Sequence, residues 1–406
     1  MIEKIIWCVL ITFIAALAFT QEERDPVLWE KALKIHKEAI VIDTHCDTPM
    51  VMYGRGVDIG QRNEKTEVDL PRMKDGGLDA VFFSVYTPHD IDNRNPSKKA
   101  LEIIDLIYQQ VGKYPQLADM AFTPGDIRRL HQDDKRAILI GLENGSPVEG
   151  SLSLLRDFYR LGVRYITLTH LKNNAISDSS TGKKPKWNGL SPFGKEVVKE
   201  MNRLGMIIDV SHISDKAFYD VLLTSQAPVI ASHSCARALC NIHRNMSDEM
   251  IKALAQKGGV IQINFYSAFL DCNYYKKSEA IEKKLEPMER KLKRKYRHNT
   301  AKYWEAVIAL WSKHRLPPPE IEVLIDHIDH IVKLVGPDYV GLGSDFDGAG
   351  GYPKGLENVS GMPLITYHLL KRGYSEADIK KILGDNFLRV FDQVVKTSIQ
   401  LHTPPK

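Results

Sequence analysis

The sequence carries no glycine-rich phosphate loop, no nucleophile elbow and no Cys-x-x-Cys pair. Nucleotide-cradling, serine-hydrolase and dithiol chemistry are therefore not indicated. Charge of one sign is also lacking: the formal net charge is only +4 over 406 residues, which argues against a polyanionic partner such as nucleic acid. There is no internal repeat and no low-complexity stretch. Cysteine is scarce, with five in the chain. One of them, Cys8, lies in an N-terminal apolar run, which leaves Cys46, Cys235, Cys240 and Cys272. An exported protein could form a disulfide among these, but spacing does not decide the pairing.

What is present is an ordinary globular composition, with 43% hydrophobic and 26% charged residues. Lys4 precedes an apolar run from Ile5 to Phe19 that closes on Ala15, Ala16 and Ala18, and the charged stretch Gln21–Asp25 follows. This pattern predicts a signal peptide over residues 1–20 and an exported, periplasmic or extracellular protein, with no stable membrane span after its removal. The tail Ile399–Lys406 has no hydrophobic stretch, so an anchor of the GPI type is not expected. Residues 21–406 read as a single catalytic domain.

Eight nearly continuous apolar runs alternate with amphipathic helical stretches. The strand candidates are Ala39–Asp43, Asp79–Tyr86, Arg136–Leu142, Val163–Thr169, Met206–Val210, Pro228–Ser232, Gly259–Phe265 and Tyr339–Ser344. Such runs suit parallel strands covered on both faces, and eight of them imply an α/β fold closed as a (β/α)₈ TIM-type barrel. One segment breaks the rhythm between the seventh and eighth strands, roughly 270–320. It is rich in Lys and Arg from Lys283 to Arg297 and is expected to form a helical insertion.

The chemistry gathers at the expected strand ends. The first ends in Asp43-Thr44-His45-Cys46-Asp47, where alternation turns His45 and Asp47 one way and Cys46 the other. The third ends in Glu143-Asn144-Gly145, the fourth in Thr169-His170, the fifth in Asp209-Val210-Ser211-His212, the sixth in Ser232-His233-Ser234 and the eighth in Ser344-Asp345-Phe346-Asp347. Barrel active sites are built at these ends. Imidazole and carboxylate together suit zinc better than calcium or magnesium. A carboxylate shared by two ions would activate a bridging water and polarise a carbonyl, which is hydrolytic chemistry.

The motifs DTHCDTP, LENG, DVSH, SHSCARAL and GSDFDG occur in one order along nearly the whole chain after the N-terminal segment. Together they resemble the membrane dipeptidase (renal dipeptidase) family of binuclear zinc peptidases, in a bacterial-type form. The resemblance implies a metallo-dependent hydrolase barrel with two zinc ions per chain that cleaves dipeptides, including those with a D-residue at the C-terminus. It implies His45 and Asp47 as ligands of one zinc, His212 and His233 of the other, and Glu143 as the bridging carboxylate. His170 matches the histidine that stabilises the oxyanion, and Arg244 the arginine that grips the substrate carboxylate. Asp345 matches the acid that meets the free amine and shuttles protons. Expected partners are small dipeptides and a second copy of the chain as a homodimer. Asn144 stands where many relatives have glycine, the longer insertion leaves dimer geometry open, and the intersubunit disulfide of mammalian members is not supported.

Other readings weigh less. A different binuclear amidohydrolase, acting on a lactone, cyclic amide or deaminable ring, would usually begin with His-x-His rather than His45-Cys46-Asp47. A catalytically silent binding protein sits poorly with a complete ligand set. The run Asp326-His327-Ile328-Asp329-His330 looks like a metal cluster, but it lies on an amphipathic helix and is assigned a structural role away from the active face. His89 and Asp90 read as plain loop residues, and Cys235 as a packing thiol.

Overall fold

A computed structural model describes residues 24–87, 95–297 and 299–403. The expected signal segment, Cys8, His89 and Asp90 lie outside the described residues. Among the described residues nine strands form in chain order: β1 Ile42–Cys46, β2 Ala80–Tyr86, β3 Ala118–Met120, β4 Arg136–Glu143, β5 Val163–Thr167, β6 Ile207–Asp209, β7 Ile230–Ser234, β8 Val260–Ile263 and β9 Val340–Leu342. Eight of them run parallel in the order β1-β2-β4-β5-β6-β7-β8-β9, and β3 pairs on the side of β4. The ring closes loosely above β9. Asp345 N–H donates to the His45 carbonyl at 3.0 Å, and Asp47 N–H donates to the Phe346 carbonyl at 2.8 Å. The (β/α)₈ barrel expected from counting apolar runs is present. β3, too short and poor in β-branched residues to register as a run, is the strand that the count omits.

Alternation along β4 shows how the barrel sorts its side chains. Ile138, Ile140 and Leu142 join the large core between strands and outer helices, while Ala137 and Leu139 join the barrel interior with Ile42, Phe82, Tyr165 and Ile207. Glu143, two residues beyond Gly141 on the interior row, is thereby placed at the mouth. The helix Asn386–His402 brings Phe387, Phe391 and Val394 to the interior's lower end. There Asn386 donates to the Pro337 and Val340 carbonyls at 2.7 and 2.9 Å.

Between β8 and β9 the chain forms the helices Ser267–Leu270, Cys272–Lys295, Thr300–Ser312 and Glu322–Val335. The Trp311 indole N–H donates to Glu289, which ties the two middle helices together. Trp304 lies beside Gly54 on the helix Thr48–Arg55 that follows β1, so the insertion leans toward the first strand's end of the barrel. Among the described residues no helix is long and apolar enough to cross a membrane.

Candidate metal centre and active site

Two interruptions in the strands aim the histidines. Ile42 and Ile230 face the interior, so strict alternation would turn His45 and His233, three residues on, outward. Register shifts between Asp43 and Cys46 in β1, and between Ala231 and Ser234 in β7, reverse that direction. His45 and Asp47 share the inward side, as alternation implied, and Cys46 is buried on the other with its Sγ 3.0 Å from Thr48 Oγ1.

His212 lies beyond β6 with φ of 69°, and Asn144 and Asp345 have φ of 75° and 61°. These left-handed conformations are unfavourable for residues with a Cβ, and they cluster where the strands deliver side chains to the mouth. Gly348 shows why the last turn is tight. A Cβ there would lie 2.0 Å from Asp47 Oδ2 and 2.5 Å from Asp345 Oδ1.

The imidazoles converge on one carboxylate. Glu143 Oε1 lies 3.2 Å from His212 Nε2, 3.5 Å from His233 Nε2 and 3.6 Å from His170 Nε2. Glu143 Oε2 and Asp47 Oδ2 each lie 3.5 Å from His45 Nε2. Three overlapping groups, each with ligand atoms within 4.8 Å of one another, emerge: His45, Glu143 and His233; Glu143, His170 and His212; and His45, Asp47 and Asp345. Glu143 and His45 are shared between groups. The resemblance assigns His170 and Asp345 to catalysis rather than to ligation, yet both stand close enough to be counted with the ligands.

This arrangement fits metal ions. His45 Nε2 and Asp47 Oδ1 are buried without a hydrogen-bond partner, and His212 Nε2 and His233 Nε2 face each other at 2.8 Å. Unpartnered buried lone pairs aimed at one point are expensive unless a cation receives them. Two of the outer nitrogens are already engaged: His45 Nδ1 lies 2.8 Å from Tyr165 Oη, and His233 Nδ1 lies 2.7 Å from Ser232 Oγ, while His212 Nδ1 has no hydrogen-bond partner. Ser232 in turn donates to Asp209 Oδ2 at 2.6 Å. With its own proton given to Asp209, Ser232 Oγ accepts from His233 Nδ1–H, which leaves His233 Nε2 as the ligand atom.

Electrostatics point the same way. Burial would raise the Glu143 pKa, but His45, His170 and His212 hold it well below the ordinary carboxylate range. Burial, with Arg244 among the nearby charges, drives His212 and His233 well below the usual imidazole value, so both are neutral donors. For His45, burial acts downward, yet Tyr165, Glu143 and Asp47 raise it well above its ordinary value, so positive charge belongs at that point. Burial raises Asp345 to about 7, with Asp47 and Glu143 adding to it against the offset of His45 and an Asn264 amide at 2.8 Å.

Arg244 is buried, donating Nη2 to the His233 carbonyl at 2.9 Å and Nη1 to Ser234 Oγ at 3.4 Å. Its Nε has no hydrogen-bond partner, and the Phe269 ring lies 5.2 Å from the guanidinium. Burial lowers its pKa, and Asp345 and Glu143 are among the nearby charges that act upward on it.

Every sequence-predicted site residue thus reaches the same mouth. Tyr165 and Asn264 lie outside the sequence motifs, and Ser232 and Asp209 lie inside them with no role assigned from the sequence. The inward row of β5 was the available signal for Tyr165, since it follows from the same alternation that places Glu143. Cys240 and Cys272 form a disulfide, a pairing spacing left open, and Cys46 and Cys235 are buried thiols. His330 pairs with Asp248 at 2.7 Å, and Asp326 and Asp329 pair with Arg372. His327, by contrast, touches loops on the active face. The helix enters from that side, so its first turns lie nearer the mouth than expected.

Comparison with known proteins agrees with this geometry. The chain is 34% identical over 379 residues to Dipeptidase 3 of Mus musculus, covering 91% of this chain and 67% of that protein. It is 33% identical to Dipeptidase verJ of Clonostachys rogersoniana, covering 91% of this chain and 88% of that protein. The crystal structure of the probable dipeptidase PvdM from Pseudomonas aeruginosa superposes with a TM-score of 0.78 at 29% identity, covering 92% of this chain and 100% of that one. A metallo peptidase from Rhodobacter sphaeroides, solved with a phosphinate mimic of the dipeptide L-Ala-D-Ala, shares the fold at a TM-score of 0.71 and 23% identity over 88% of this chain and 99% of that one. Residues 29–405 match the membrane dipeptidase family, peptidase family M19, and the chain belongs to it.

Proposed function

We propose that the protein hydrolyses dipeptides with two zinc ions held by His45, Asp47, Glu143, His212 and His233, and accepts a D-residue at the C-terminal position. The observation that carries this reading is the overlap of three ligand groups through Glu143 and His45. When bound, the zinc pair would supply an activated water and a polarised carbonyl. The protein's own residues do the rest. Arg244 offers a planar fork to the substrate carboxylate, and Asp345 meets the free amine and moves protons. A cation for one end and an anion for the other suit a zwitterion no longer than a dipeptide. His170 donates to the oxygen on which charge develops, a contribution of about 2.7–4 kcal/mol in comparable sites. The D-residue is supported by the resemblance and by the phosphinate mimic bound in the Rhodobacter sphaeroides relative. The same reading takes the enzyme to be exported, with residues 21–406 as one catalytic domain that could pair as a homodimer.

The test is hydrolysis of a free dipeptide ending in a D-residue by zinc-reconstituted protein, beside its N-acetylated form and a chelator control. Cleavage of the free dipeptide alone, abolished by chelation and restored by zinc, is the expected result. Two bound zinc ions without cleavage would redirect the reading to other amidohydrolase substrates. Failure to bind metal would end it.

A further inference from the structure

Arg244 sits on a turn-rich loop, Cys235–Met246, closed by a single bridge between Ala236 and Met246. Besides the contact of Arg244 with the Phe269 ring, three ties bind this loop to the stretch Ser267–Cys272 beyond β8. The disulfide Cys240–Cys272 is the first. The second is the Asn245 side-chain amide, which donates to the Cys240 carbonyl at 2.8 Å and to the Phe269 carbonyl at 2.9 Å. The third comes from a different element. His327, fully buried on the helix Glu322–Val335, accepts the Ala236 backbone N–H on Nδ1 at 3.0 Å and lies with Nε2 3.0 Å from the Leu270 carbonyl. A carbonyl only accepts, so Nε2 carries the proton and the ring is the neutral Nδ1-acceptor tautomer. Burial favours that form, pushing the ring's pKa down to about 4.

We propose that His327 is a positioning residue for Arg244, holding the arginine loop and the Phe269 segment in one register so that the guanidinium meets the substrate carboxylate preformed. The inference rests on the reading of Arg244 as the carboxylate-binding group. His327 touches neither substrate nor ligands. The metal-binding side chains hang on β1, β4, β7 and the end of β6, and of these His233 adjoins the braced loop, its carbonyl accepting from Arg244 Nη2 while its ring is aimed by the β7 strand. A loosened fork must be reordered each time substrate binds, so the loss falls on KM and not on the chemical step.

The experiment compares zinc-reconstituted full-length His327→Leu and His327→Gln with the parent protein, using a dipeptide and its C-terminal amide. Glutamine presents one acceptor and one donor at about the ring's spacing and should rescue. The expected result for His327→Leu is a KM about tenfold higher for the free acid, with kcat within about twofold and zinc content unchanged. The amide should respond little. Hydrogen exchange should rise within 235–246 and 267–272 and stay the same elsewhere. An equal loss for acid and amide, an unchanged KM, or lost zinc would overturn the proposal. If the parent protein, fully loaded with zinc, cleaves neither compound, the dipeptidase reading fails separately. Exchange then decides the brace: unchanged protection in 235–246 removes it, and raised protection loss confined to the two stretches keeps the brace while overturning its stated purpose.

Discussion

At the scale of single residues, Glu143 is the junction of the site, because four imidazole nitrogens lie within 3.6 Å of its two oxygens. Replacing it with glutamine keeps the shape and removes the charge that balances those rings. Glu143→Gln is expected to fold normally by circular dichroism, to retain less than two zinc ions by elemental analysis, and to lose more than about 100-fold in kcat/KM, the upper range for losing a mere outer-shell partner. An unchanged metal content would remove the bridging role. His170 separates from the ligands by a different signature. If it serves the oxyanion, His170→Ala should keep both ions and lower kcat by about 10²–10³-fold with little change in KM. Loss of one ion would instead make it a ligand. For Arg244, lysine keeps the charge but not the fork, so Arg244→Lys should raise KM for free dipeptides by about 10–100-fold, the equivalent of one charge-assisted hydrogen bond.

At the scale of elements, the strands position chemistry through packing deep in the barrel. Gly141 on β4 is bare because Tyr165 of β5 fills its place: a Cβ there would lie 2.1 Å from the phenol ring. That ring carries the hydroxyl that meets His45 Nδ1. Gly141→Ala should therefore cost about 1–3 kcal/mol by overpacking and also weaken zinc retention, measured by urea midpoint and by chelator competition. A stability loss with unaltered zinc affinity would disconnect Tyr165 from the metal centre. This dependence also explains what the sequence made legible. Side-chain period along β4 and the clustering of His and Asp at strand ends revealed the barrel and every ligand candidate. The shifts that turn His45 and His233 inward are local breaks in that same period, and nothing in Asp43–Cys46 or Ala231–Ser234 advertises them. The Cys240–Cys272 pair was hidden for another reason. It joins two loops whose proximity follows only from β7 and β8 being neighbours in the closed sheet.

At the scale of the whole molecule, buried histidines make stability depend on pH in a direction the structure determines. His36 bonds Thr366 Oγ1 at 2.8 Å and the Gly76 carbonyl at 2.9 Å, joining the first described helix to a late one. Burial lowers its pKa against the opposing pull of Gly76 and Asp79. Burial, opposed by the Leu270 bond and by Asp326 and aided by His330, lowers His327 to about 4. An unfolded imidazole takes up its proton near 6.5, whereas folded His327 resists until about 4. Between those values the unfolded chain binds more protons. The contribution of neutral His327 is therefore complete above pH 6.5 and falls away as the solution is acidified toward 4, a loss of roughly 3 kcal/mol over the window. Glutamine at the same position preserves the two bonds and does not titrate. His327→Gln should match the parent protein near neutrality and exceed it by an increasing margin from pH 6 to pH 4.5, read as the difference in urea midpoints. Carboxylate protonation and any release of metal are common to both proteins and cancel in the difference. A constant offset across pH would mean that His327 already carries its proton in the fold. Nε2 would still donate to Leu270, but Nδ1–H would oppose the Ala236 N–H, which excludes that state on the present geometry.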